Sequence, residues 1–405
     1  VYNHLFDIDI FLVQLRAFST PNKLSWPLTY CPIASYLLIP LLFLLAWIFP
    51  KLKHSLPRHT NKSEGARHLY ISLKNVLPPI LYLIIVLLVG MVVHDKQIKP
   101  VLKISDYAER GMWQQILDYA ANADVPQGLF TNHDINLALY HCGRLGSDMF
   151  SFRQSTPALL LTFEPGKRLA FVSTKRTDLL MQLGLLGIAN KTAFESFEIT
   201  QAPYALEQLA YINLAKGQIE TAKVFLNSLC KDLIYAPEAK KLLQQIKTDP
   251  ELKSNSRIQH LRAVMPDSDT PAVKFDVDLF FSYLLQKNPQ NKMAFEYMMA
   301  YYLLTGQLDK VVNNLWRLKD LGYQKIPPLY EEAFAIYLRG SGGQKPDSVS
   351  FEPDIKTVEQ AKIFEETFKR SGGAYAPEAA AQALSPKFGN TYLYYYFLTL
   401  PGQRK

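Results

Sequence analysis

The first hundred residues carry two apolar runs separated by a polar, basic stretch. The runs lie at residues 26–49 (WPLTYCPIASYLLIPLLFLLAWIF) and 77–93 (LPPILYLIIVLLVGMVV). A bilayer core of about 30 Å needs roughly 17–25 apolar residues, so each run is long enough to span, the second near the short limit. In lipid a helix satisfies its own backbone, so the pattern predicts a two-helix transmembrane hairpin over 26–95, with a loop at 50–75. Pro32 and Pro40 are expected to kink the first span. Pro78 and Pro79 open the second, where a missing N–H costs little. Residues 1–25 pack apolar side chains densely between acids, as in an amphipathic segment at the membrane surface.

From Ile104 onwards the apolar spacing turns helical and stays so. Three places share one local order: an apolar helix, then glycine, a polar residue and an aliphatic one, then a second amphipathic helix. They are Gly143-Arg144-Leu145, Gly217-Gln218-Ile219 and Gly306-Gln307-Leu308. Each glycine is expected to end its helix in the left-handed conformation. This resembles the tetratricopeptide repeat (TPR), a helix pair of about 34 residues. Leu209, Ala210, Gly217, Ala222 and Pro237 fall on the repeat's positions in one unit. Phe295, Met298, Tyr302, Gly306 and Leu315 fall on large-apolar or turn positions of another, preceded by an inter-repeat turn at Asn288-Pro289-Gln290-Asn291. Val311 stands where the repeat has a small residue, and the glycines are 74 and 89 residues apart, so the array is degenerate and interrupted. The resemblance implies an α-solenoid and a protein- or peptide-binding surface, and no activity.

Residues 177–188 and 192–199 read as a further helix pair, and 357–370 as a charged amphipathic helix. Trp113, Tyr119, Leu137 and Tyr140 are expected to begin the array, with Trp113 and Trp316 in its core. Breaks are expected at 155–173, at 254–273 as an exposed loop, and at the Gly/Ser-rich 340–353 as a mobile linker. The final aromatic run, Tyr392, Tyr394, Tyr395, Tyr396 and Phe397, is open to two uses besides membrane contact: a ledge for a peptide, or the apolar cap of the last helix.

Charge bears on topology more than on partners. The 405-residue chain has a formal net charge of +8. The loop at 50–75 holds Lys51, Lys53, Arg58, Lys62, Arg67 and Lys74 against Glu64 alone, so five of those eight charges sit there. That argues against a nucleic-acid patch and for a cytoplasmic loop by the positive-inside rule, with both ends outside. Lys96, Lys99, Lys103 and Arg110, after the second run, weaken the asymmetry without reversing it. Of three cysteines, Cys31 lies in the first span, and Cys142 and Cys230 are expected as buried thiols. Val1 opens the chain, and no signal-peptide pattern follows it. The expectation is therefore the C-terminal part of a longer membrane protein.

Candidate chemistry is sparse. No phosphate-binding glycine loop, nucleophile elbow or zinc-binding helix motif occurs. His133, Asp134, His141 and Cys142 form the one mixed cluster, but residues eight apart on a helix lie about 12 Å apart along its axis, too far for one metal. Ordinary packing is expected, with Asn132 or Asp134 as a helix cap. Asp7 and Asp9 resemble the acidic pair in the first extracytoplasmic loop of polytopic lipid-linked sugar transferases, where carboxylates hold a divalent metal.

The whole chain resembles uncharacterised polytopic bacterial inner-membrane proteins that end in a periplasmic TPR-like domain. The expected fold class is all-α, a transmembrane hairpin followed by a degenerate TPR-like α-solenoid. Its parts are an extracytoplasmic segment at 1–25, the hairpin at 26–95, the repeat domain at 96–340, and a linker with capping helices at 341–405. The expected function is a membrane-anchored interaction protein or scaffold, with the lipid bilayer and a protein or peptide as partners. The alternative is the tail of a lipid-linked sugar transferase or other envelope-polymer enzyme. Neither catalytic residue, metal nor cofactor is assigned.

Overall fold

The computed structural model describes residues 98–400, apart from 127, 155, 162–169, 267–275, 347, 348 and 350. The hairpin at 26–95, its basic loop and the Asp7/Asp9 pair lie outside those residues. Among the described residues the fold is all-α without a strand, and no helix is long and apolar enough to cross a membrane.

The first helices are α1 (Ile98–Glu109), α2 (Trp113–Asn122), α3 (Leu129–His141) and the short α4 (Leu145–Asp148). Two 3-10 turns, Met149–Ser151 and Thr156–Leu159, lead to α5 (Ala170–Leu183), α6 (Leu186–Thr200), α7 (Pro203–Ala215), α8 (Ile219–Leu229) and α9 (Ala236–Thr248). Then follow α10 (Ser256–Val264), α11 (Val277–Lys287), α12 (Lys292–Thr305), α13 (Leu308–Asn313) and α14 (Arg317–Asp320). The chain closes with α15 (Pro328–Gly340), α16 (Ile355–Arg370), α17 (Pro377–Phe388) and α18 (Tyr392–Tyr394), which runs into a π-turn at Tyr395–Thr399. Neighbours in sequence are neighbours in space: α5 packs on α6, α6 on α7, α7 on α8 and α8 on α9, and later α11 on α12, α15 on α16 and α16 on α17.

The three glycine turns form as the pattern requires. Gly143, Gly217 and Gly306 have φ of 68°, 74° and 67°. In each, the next residue's N–H returns to a carbonyl five positions back: Arg144 to Leu139, Gln218 to Asn213, Gln307 to Tyr302, at 2.7–2.9 Å. That is the bond that closes a helix through a left-handed glycine. Ala222 and Val311 are both fully buried behind their turns.

Among the described residues α3 and α12 carry long stretches buried on every side. On α12, Phe295, Tyr297, Met299 and Leu304 have no exposed surface, and α3 is buried from Phe130 to Leu139. α3 nevertheless carries Asn132, His133, Asp134 and Asn136, and burying polar groups is costly unless they are bonded. Asn132 Nδ2 donates to the Arg153 carbonyl at 2.8 Å. Asn136 and Gln154 exchange two amide bonds of 3.0 and 2.9 Å. Lys175 Nζ on α5 donates to both carboxylate oxygens of Asp134, at 2.6 and 2.8 Å.

Several expectations change. α3 is capped by the Gly128 backbone with no side-chain cap, so Asn132 and Asp134 sit inside the helix. The break near residue 189 moves to Gly184, whose φ is +91°; a Cβ there would lie 2.2 Å from the Val264 carbonyl oxygen. The loop expected at 254–273 contains α10, because Asn255 Oδ1 accepts the Ile258 N–H at 3.1 Å and Ile258 and Leu261 are buried. Arg262 fastens α10 to the end of α7, donating to the Leu214 and Ala215 carbonyls at 3.0 and 3.2 Å. In the segment expected to be mobile, Val349 is buried at 2% exposure. Trp316 is 40% exposed, with the Arg317 guanidinium over its ring. Cys142 and Cys230 are free and half-buried rather than buried. The Asn288–Asn291 turn forms, and Asn291 both caps α12 through the Ala294 N–H and donates to the Leu183 carbonyl at 3.1 Å.

The Asp134–Lys175 pair is 3% and 11% exposed, and breaking such a pair from one side leaves an uncompensated buried charge. Asp134→Ala is expected to cost about 3–5 kcal/mol in chemical denaturation. The double replacement Asp134→Leu with Lys175→Met is expected to recover most of that loss. A single-variant cost below about 1 kcal/mol would contradict the assignment.

Candidate binding groove

The final aromatic run divides by burial. Tyr392 and Tyr395 point into the core, at 0% and 4% exposure, against Phe150 at ring separations of 5.3 and 4.5 Å. Tyr395 Oη donates to the Leu304 carbonyl at 3.0 Å. Tyr396 and Phe397 turn the other way, and Phe397 meets Phe364 and Phe368 at 5.5 Å each. The capping reading holds for Tyr392 and Tyr395, while the next two side chains line a groove.

The groove is about 580 Å³, within the size range of ligand pockets. Gly306, Leu308 and Asp309 at the start of α13 form one edge, and Tyr337, Arg339 and Gly340 at the end of α15 another. Ala361 and Glu365 of α16 supply the third side, and Leu393, Tyr396 and Phe397 the fourth. Arg339 forms an ion pair with Glu365, which also accepts from Lys369 at 3.1 Å. The Asp309 carboxylate is exposed, with no such ion pair among the described residues. Chemically the groove offers aromatic side chains, an ion pair and the exposed Asp309 carboxylate.

The C-terminal wall is held from below by Glu332 on α15. Its carboxylate accepts the Leu393 N–H at 3.0 Å, while Thr391 Oγ1 accepts the Tyr394 N–H at 3.2 Å. The docked segment takes water away from Glu332, and this burial pushes its pKa up to about 7 against the pull of the Leu393 and Tyr392 N–H groups, with Glu331 adding to the rise.

The residues singled out in the sequence lie elsewhere. His133 and Asp134 are buried beside Lys175, and His133 is held neutral by burial and by the Lys175 charge, its pKa brought down to about 3. Its Nδ1 has no hydrogen-bond partner among the described residues. His141 is exposed, stacked on Trp113 at 4.2 Å and bonded to Gln182 at 3.0 Å. Cys142 is half-buried, its thiol pushed up by burial. Among the described residues no three His, Cys, Asp or Glu side chains gather in a way that could hold a metal. A second polar cluster joins α5, α7 and α10: Asp178 accepts from Tyr204 and Gln208, both at 2.8 Å, and Arg257 lies 3.9 Å over the Tyr211 ring. Both Asp178 oxygens are occupied by the protein's own donors.

Sequence reasoning missed Asp309, Glu332, Arg339 and Glu365. For Glu332 a signal existed: it falls with Leu329, Ala333 and Ile336 on one helical stripe whose other members are buried. An acid inside an apolar stripe marks a carboxylate with a buried partner.

Over residues 8–399 the chain matches a family of unknown function, DUF6057, and it belongs to that family. No curated protein and no solved structure matches it.

Glu332 gives the fold a pH dependence of definite sign. Its folded pKa is about 7 against an ordinary 4.5, so between those values the folded chain holds a proton that the unfolded chain has released. The contribution is present below about pH 4.5 and is lost as pH rises through 7. Denaturant unfolding at pH 5.5 and 8 is expected to show a Glu332 term on the order of 2 kcal/mol favouring the lower pH. Glu332→Gln is expected to remove that term; an unchanged slope in the variant would contradict it.

Proposed function

We propose that this member of the family is a membrane-anchored, TPR-like interaction protein, whose helical domain lies on the extracytoplasmic face of a bacterial inner membrane and takes a protein or peptide partner in the groove beside Tyr396 and Phe397. The observation that carries the reading is the groove itself, about 580 Å³ and walled by aromatic side chains that the fold leaves half-exposed. Helical repeats use such concave, aromatic-lined surfaces for extended segments. The repeat reading is supported by the three matching glycine turns and by helices that pack on their chain neighbours. Anchoring is supported by the two apolar runs and the basic loop between them, through length and the positive-inside rule. The bilayer would hold the groove near other envelope components.

Affinity capture from crosslinked membranes tests the reading, using the full chain and the double variant Tyr396→Ala with Phe397→Ala. The expected result is a defined partner band that weakens at least fivefold in the variant, while the variant stays folded and in the membrane fraction. A partner held equally by both forms would move the site away from the groove. Reporters active on one side of the membrane, placed after Lys405 and within 51–74, are expected to score outside and inside respectively; the reverse would overturn the placement.

A further inference from the structure

One helix lies where a binding partner of stacked helix pairs would lie. Two pairs follow residue 170 and form two layers: α5 packs on α7, and behind them α6 lies beside α8, with the Phe194 ring 5.9 Å from Phe225. Each pair turns through a left-handed glycine, Gly184 or Gly217. Stacks of helix pairs use one extended face for binding. Here α10 covers the α5/α7 face. It packs on α7 and α5 rather than on α9 or α11, its neighbours along the chain, and Arg262 bonds to carbonyls 47 and 48 residues back.

The contacts are those of a docked amphipathic helix. Arg257, Ile258, Leu261 and Arg262 share one side of α10. Ile258 and Leu261 are buried, while Ser256, His260 and Ala263 on the opposite side are exposed. The Arg257 guanidinium lies over the Tyr211 ring at 3.9 Å and 4.0 Å from Glu207, with Asp178 also acting on its charge. Arg262 grips the last carbonyls of α7, which carry the partial negative charge of a helix C-terminus. The ties to neighbouring chain are polar: Asn255 to Gln245 at 3.1 Å, Arg262 to the Glu251 carbonyl at 2.6 Å, and Asn288 to the Ala263 carbonyl at 3.3 Å. Within α10 two aliphatic side chains are buried, against ten consecutive buried residues on α3. Few buried apolar contacts put a segment at the low end of local stability.

We propose that α10 is a displaceable intramolecular ligand: it occupies the α5/α7 face in the chain alone, and a partner helix with the same face, arginine and an aliphatic residue followed three residues later by leucine and arginine, takes its place. The segment seated on the face states the chemistry of the occupant. Aliphatic side chains fill the contact, one guanidinium stacks on Tyr211 beside Glu207, and a second caps α7. This site lies apart from the groove at Tyr396 and Phe397 and does not depend on it.

The test uses the full chain in phosphatidylcholine nanodiscs, with empty nanodiscs as the blank. The probes are two labelled, end-blocked peptides: residues 254–266 of this chain, and the same peptide with Ile258→Ser and Leu261→Ser. In the chain itself, Arg257→Ala with Arg262→Ala loosens α10 and leaves the face beneath it unaltered. A covered face binds in proportion to the fraction of chains in which it is open, so fluorescence anisotropy is expected to show the first peptide binding the double variant about tenfold tighter than the unaltered chain. The serine peptide is expected to bind at least tenfold more weakly, and Glu207→Gln added to the double variant to weaken the first peptide about threefold. Equal binding to the unaltered chain and the double variant overturns the inference. Absence of binding, or binding that ignores the serine or Glu207 substitutions, overturns it as well. If circular dichroism shows the double variant unfolded, hydrogen exchange of the unaltered chain decides. Amides at 260–264 are then expected to exchange at least tenfold faster than those at 209–214 after correction for intrinsic rates, and equal protection overturns the inference. Membrane capture with the Tyr396/Phe397 double variant decides the groove reading separately.

Discussion

The fold turns on a buried charge. Asp134 lies inside a helix that is covered on every side, and its carboxylate survives there because Lys175 reaches it from α5 with two hydrogen bonds. The same helix places Asn132 against the Arg153 carbonyl and Asn136 against Gln154. Each of these bonds ties α3 to chain that follows it, so burying α3 fixes where Arg153, Gln154 and Lys175 must lie. Apolar side chains at those positions would satisfy the same volume in many registers. The polar ones accept a single arrangement, because an unmet partner costs more than a misplaced methyl group.

That arrangement carries through to the groove. The α3–α4 turn brings Gly146 so close to α15 that a Cβ there would lie 2.9 Å from Pro327 and 3.2 Å from Tyr330. Phe150, one turn further on, becomes the surface on which Tyr392 and Tyr395 settle. With those two rings buried and Glu332 holding the Leu393 N–H, the next two side chains are half-buried and line the groove, Phe397 packing on Phe364 and Phe368. The groove is thus a consequence of how the last segment is fastened. Its aromatic character comes from the same run of residues that closes the fold.

Much of this was legible in the sequence, and the misses have physical causes. Glycine turns at 143, 217 and 306 were readable because a left-handed helix end has few chemical solutions. α16 and the Asn288–Asn291 turn were readable for similar reasons: strong amphipathic period in one, turn residues in the other. α10 was not, since Ser256–Val264 has a weak apolar stripe, and its helix depends on the Asn255 cap and on Arg262 reaching the distant end of α7. Asp134 was read as a possible cap because an acid near a helix start usually is one; its partner lies 41 residues on, which no local pattern encodes. The groove is assembled from α13, α15, α16 and the C-terminal segment, so its composition is a property of tertiary packing alone. The two apolar runs and the Asp7/Asp9 pair remain readings of the sequence.

On the proposed function, a partner sits against Tyr396 and Phe397, the groove-lining part of the C-terminal aromatic run. A photo-crosslinking amino acid substituted at Phe397, with a matched substitution at the exposed Val224 on α8, tests it most directly in intact cells. The expected result is a discrete, ultraviolet-dependent adduct from position 397 and none of the same mass from position 224. An adduct from 224 alone, or identical patterns from both positions, would contradict it.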